Sequence, residues 1–137
     1  ERHVLTADDA GPDSPDFAGG VVFTSGGARL PTWQTARAAA FLATMLGDRR
    51  LTPDAELTKR LLSAIDVLRF LRQLTVDPAR AWALPAGSLG SVRLAPWEDR
   101  TSPEATSLTL LCVAEIVASL EARSKVREEP GSVGLDR

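Results

Sequence analysis

A chain of 137 residues with 16 Lys and Arg against 18 Asp and Glu has a formal net charge of −2; 44% of it is apolar and 25% charged. That length suits a single domain, and that apolar share excludes wholesale disorder, a collagen-like fibre and a miniprotein held by metal or disulfides. The missing basic surplus disfavours a nucleic-acid module, which works by releasing counterions from phosphates.

Residues 1–20 are rich in Asp, Gly and Pro, a mix that favours turns and disorder, with room for a short strand at His3 to Thr6. Val21-Val22-Phe23-Thr24 has the β-branched and aromatic content of a strand. The next helix is expected from about Thr32 to Leu46, capped by Thr32 and ended by a left-handed Gly47. Thr52-Pro53-Asp54 then opens a second helix by a cap, a Pro in the first turn and an acid near the positive end. Its core stripe is Leu57, Leu61, Ala64, Ile65, Leu68 and Leu71, widened by Leu62, Val67, Phe70 and Leu74.

Asp77-Pro78 repeats the cap signal for a short helix to about Ala83. Ser91-Val92-Arg93-Leu94 alternates as a half-buried strand that Pro96 stops, and pairing with Val21 to Thr24 is expected. Ser102-Pro103-Glu104 starts the last helix, expected to run to about Arg123 and to be followed from Lys125 by a disordered tail. The fold class predicted is therefore α+β, mainly α: three principal helices with a short two- or three-stranded antiparallel sheet. One domain spans 1–137, with 1–18 and 125–137 disordered or loosely attached.

Little in the chain points to catalysis. The lone Cys112 permits no intrachain disulfide and no Cys-based zinc site, and it lies in an apolar stretch where a Cys is usually a small core hydrophobe. The single His3 leaves no Ser-His-Asp triad, and no G-x-S-x-G elbow occurs. Thr24-Ser25-Gly26-Gly27 lacks the Walker and Rossmann spacings and reads as a connector. Glu98 and Asp99 are adjacent acids without further metal ligands, expected in a solvated loop. No cofactor and no metal site is expected. Of the basic residues only Lys59 and Lys125 are Lys; the rest are Arg. A GC-rich coding sequence explains that bias, and the other explanation is bidentate contact with carboxylate or phosphate.

The informative segment is the last helix. Leu108, Leu110, Leu111, Cys112, Val113, Ile116, Val117 and Leu120 occupy nearly every side of it, more apolar surface than two other helices and two short strands can cover. A second copy of the chain is the simplest cover. The function expected is a non-enzymatic protein–protein interaction module, a homodimeric assembly or regulatory domain that also has the means to contact another protein. Its interface candidates are Leu108, Leu111, Cys112, Ile116, Trp82, Trp97 and Arg100. A small-ligand or effector domain is the alternative, and a nucleic-acid regulator using the Arg-bearing second helix is the weaker third. An intracellular setting without membrane contact is expected, because no uninterrupted apolar run reaches the roughly 18 residues of a bilayer span and the start has no signal-peptide h-region.

Overall fold

The computed structural model describes residues 4–23 and 30–128. Five helices and one hairpin follow in chain order: α1 (Ala7–Ala10), a 3-10 turn (Pro15–Phe17), α2 (Thr35–Gly47), α3 (Asp54–Leu74), α4 (Pro78–Ala81), β1 (Arg93–Ala95), β2 (Glu98–Thr101) and α5 (Pro103–Glu128). The class is α+β, mainly α, with a two-stranded antiparallel sheet.

Small side chains on α2 decide how the helices stack. Its buried positions are Thr35, Ala36, Ala39, Ala43 and Leu46, the last four spaced at three and four residues along one face. On α5 the matching buried residues are Ala105, Thr109, Cys112, Ile116 and Arg123. Two faces of small residues approach closely: a Cβ on Gly47 would lie 3.2 Å from Ser119 Oγ. Because Arg37 meets Glu104 near both starts and the Leu46 carbonyl accepts from Arg123 further on, α2 and α5 run parallel. The short 48–53 turn folds α3 back along α2. Since α2 brings mainly Ala to this core, α3 supplies the volume through Val67, Phe70, Leu71 and Leu74, and Phe70 is the largest fully buried side chain.

Residues 4–18, whose composition suggests looseness, form two turns that are tied in. Thr6 and Asp9 make a reciprocal cap for α1. Leu5 N–H donates to the Gly20 carbonyl at 2.9 Å, and Gly19 N–H to the Leu5 carbonyl at 2.8 Å. Gly19 has φ +83°, and a Cβ there would lie 2.0 Å from the Asp66 carbonyl oxygen, so only glycine lets this segment lie on α3. Phe17 then meets Trp97 edge-on with ring centroids 5.6 Å apart.

Several sequence expectations are corrected. Val21 does not pair with the Ser91–Leu94 strand; it bridges Val4, while its N–H donates to Thr35 Oγ1 at 3.0 Å. The true partner of β1 is β2, so Glu98 and Asp99 lie on a strand rather than in a loop. Pro96 does stop β1, which ends at Ala95, and with Trp97 it forms the turn into β2. Neither residue has positive φ, so this is not a primed hairpin turn, and a register irregularity between Arg93 and Ala95 absorbs the mismatched twist. Thr52 does not cap its helix, because its hydroxyl donates to the Met45 carbonyl at 2.7 Å, while Thr32 stands three residues before α2 begins and accepts from Gln34 N–H at 3.4 Å in the turn that leads into it. Gly47 closes α2 as a helical residue instead of a left-handed cap. Ile65 and Leu62 face outward, 43% and 58% exposed. The helix expected to end near Arg123 continues to Glu128. His3, the Thr24–Gly27 connector and residues beyond Glu128 lie outside the described residues.

The caps that did form are local. Asp77 accepts from the Arg80 backbone N–H at 2.9 Å, and Ser102 Oγ accepts from Glu104 N–H at 3.1 Å.

Candidate functional site

With one face of α5 given to α2, much of its remaining apolar surface is open. Leu110 is 66% exposed, Leu111 52%, Val113 40%, Val117 48% and Leu120 37%. At about 100° per residue, Leu110, Val113, Val117 and Leu120 fall within roughly a quarter of the helix circumference, a continuous stripe about 15 Å long. Their order along the chain, Leu, then Val, then Val, then Leu, at spacings of three, four and three, is the same read from either end.

The candidate residues named from sequence divide between two environments. Cys112 and Ile116 are buried, 0% and 3% exposed, and Leu108 is half-buried against the same core; these three serve the chain's own packing against α2. Leu111 is exposed on α5, away from the stripe. Trp82, after α4, is 84% exposed. Trp97 is 53% exposed and carries Phe17 on its edge, and Arg100 pairs with Glu98 on the same strand. The structure brings Trp97 and Arg100 together on the hairpin but not with the outer face of α5.

Leu110, Val113, Val117 and Leu120 were legible as apolar but not as the open face. The distinguishing signal was the small-residue register of Ala105, Thr109, Cys112 and Ser119, which matches the Ala register of α2 and marks the inner side.

Burial pushes the Cys112 thiol up from 9.0 to about 11. Because the unfolded thiol ionises first, its share of stability is complete below about pH 9 and is lost as pH rises toward about 11. Urea midpoints measured from pH 8 upward should therefore fall more steeply for the wild type than for Cys112→Ala. Identical slopes would contradict this placement. Among the described residues, no group of three or more His, Cys, Asp or Glu is placed to hold a metal ion.

By length and composition α5 is also long and apolar enough to cross a membrane over Pro103–Lys125, with only 22% of its most apolar window buried. The few polar residues between Leu and Val interrupt any apolar run but do not lower the mean hydropathy of the segment enough to change this.

No protein-family model, curated protein or solved structure matches this chain.

Proposed function

We propose that the chain is a non-enzymatic interaction module that pairs with a second copy of itself through the outer face of α5. The observation that carries this reading is the exposed stripe Leu110, Val113, Val117 and Leu120, whose order is palindromic. A two-fold interface must be self-complementary. Laid antiparallel on its copy, the stripe sets Leu110 against Leu120 of the partner subunit and Val113 against Val117 of the partner subunit. Large side chains then meet at the ends and smaller ones at the centre, where the helices cross.

The four side chains are roughly half exposed, so burying the rest returns about 1 kcal/mol each, or about 8 kcal/mol over both copies. Lost rigid-body freedom costs about 4–15 kcal/mol. The two terms are of similar size, and the pair is expected to be a concentration-dependent dimer.

Docking fits these residues better than spanning a bilayer. Glu115 stands exposed near the middle of the apolar segment, and Arg123 is committed to the chain's own turn. The companion helix α2 has 13 residues, about 20 Å, against the roughly 30 Å of a hydrocarbon core.

Sedimentation velocity from about 10 µM to about 2 mM reaches the roughly millimolar affinity at the favourable end of this balance. The sedimentation coefficient should rise with concentration for the wild type. Val113→Glu, placed on an open surface, should stay monomeric with an unchanged melting midpoint. A wild type that remains monomeric across that range would overturn the reading.

A further inference from the structure

The C-terminal end of α3, the turn at α4 and the hairpin enclose a cleft of about 690 Å³, whose lining includes Arg69, Arg72, Arg80 and Arg93 with two carboxylates, Asp16 and Asp77. Four guanidinium groups converge there in a chain whose net charge is −2. Arg69 is held by Asp66 at 3.4 Å, and the Asp77 carboxylate is engaged by the Arg80 backbone N–H. The guanidinium groups of Arg72 and Arg80 make no ion pair among the described residues.

Arg93 is the built part of this site. It is 3% exposed, and its terminal nitrogens donate to the Gln73 carbonyl at 2.9 Å and the Pro96 carbonyl at 3.0 Å. Its Nε is buried with no hydrogen-bond partner. Burial, and next the charge of Arg80, hold its pKa below the ordinary arginine value, while Asp99 at 3.5 Å and, less strongly, Asp16 oppose this. Holding this buried cation beside Arg80 is costly, and the Asp99 carboxylate, its side chain 71% exposed, offsets only part of that cost. Part of the Arg72 charge answers the negative end of α3, and Arg80 stands in the last turn of the four-residue α4, but that reason does not extend to Arg93 on β1.

A second hollow of about 300 Å³ adjoins the cleft, shares Arg80 and Arg93 with it, and reaches Trp97. The larger volume lies in the range of small-molecule sites and exceeds what a bare phosphate fills. Guanidinium forks match phosphate oxygens bidentately, and an indole face accepts a flat organic group. We propose that this cleft binds a small organic phosphate, with the phosphate between Arg72, Arg80 and Arg93 and the organic part directed toward Trp97.

Isothermal titration of the whole chain at low salt, with phenyl phosphate, inorganic phosphate and citrate as probes, tests the assignment. Phenyl phosphate should bind more tightly than inorganic phosphate, and citrate more weakly than either. The exposed pair Arg72→Gln and Arg80→Gln should each lower phosphate affinity about tenfold while leaving the melting midpoint in place. Arg49→Gln, on the turn before α3, should change nothing. Absence of heat with both phosphates, equal affinity in the Arg72 and Arg80 variants, or preference for citrate would each overturn it.

Discussion

Replacing Arg123 with Ala is expected to destabilise the chain by about 3–5 kcal/mol, the sum of two charge-assisted hydrogen bonds to buried acceptors. Arg123 is 8% exposed. Its Nη1 donates to the Leu46 carbonyl at 3.0 Å and its Nη2 to the Thr52 carbonyl at 2.8 Å. Those carbonyls belong to the end of α2 and the turn into α3, which a helix end leaves without intrahelical donors. One guanidinium thus fastens the far end of α5 to the α2–α3 turn. The ion pair with Asp54 at 2.7 Å adds less, because the Asp54 side chain is 77% exposed and its charge is screened by water. Asp54→Asn should therefore cost under about 1 kcal/mol. Arg123→Lys keeps the charge but loses the fork and should recover less than half of the loss. Urea denaturation of the three variants checks the ranking, and an Asp54 effect as large as that of Arg123→Ala would refute it.

Phe70→Ala should cost about 3–5 kcal/mol, by lost transfer energy and by the cavity left behind. Phe70 is 0% exposed and belongs to the cluster that joins α2, α3, β1's approach at Val92 and α5. The opposing helix offers Ala36, Ala39 and Ala43, short side chains on a fixed backbone, so little can move in to refill the space. Phe70→Leu, which keeps most of the volume, should cost about half as much or less. For a domain with about 5–15 kcal/mol of total stability, the Ala variant loses a large fraction of the whole. Thermal and urea unfolding read it directly, and a loss below about 1 kcal/mol would show that the ring does not fill this core.

The parts of the fold legible in the sequence are those decided within a turn of chain. Asp77 and Ser102 cap their helices because each side-chain oxygen reaches N–H groups two or three residues ahead. Thr52 carries the same local signal, yet its hydroxyl is taken by Met45, seven residues back, once the α2–α3 turn has closed. Val21 likewise has strand character, but its N–H goes to Thr35 and its bridge to Val4, choices that depend on where Gly19 lets the chain lie against α3. The hairpin was hidden because Pro96-Trp97 carries none of the Gly or Asn residues that announce a primed turn.

The candidate site shows the same division. That the last helix is apolar on nearly every side is plain from its residues. Which side is inner depends on the Ala face of α2 and on Gly47 against Ser119, a match between segments far apart in sequence. Cys112 and Ile116 therefore went to the core, and Val113 and Val117 to the surface. The basic cleft escaped for a similar reason: Arg72, Arg80 and Arg93 sit on three elements, and only the hairpin's return to Gln73 brings them together.

Disulfide trapping reads the register of the α5 pair most directly. Chains carrying Leu110→Cys and Leu120→Cys are mixed in equal amounts under mild oxidation, with Cys112 buried and its thiol held protonated. An antiparallel pair sets position 110 of one chain beside position 120 of the other and separates like positions by about 15 Å. A mixed 110–120 disulfide should form well above either like-with-like product. Preferential 110–110 and 120–120 products, or no cross-link at concentrations up to about 2 mM, would contradict that pairing.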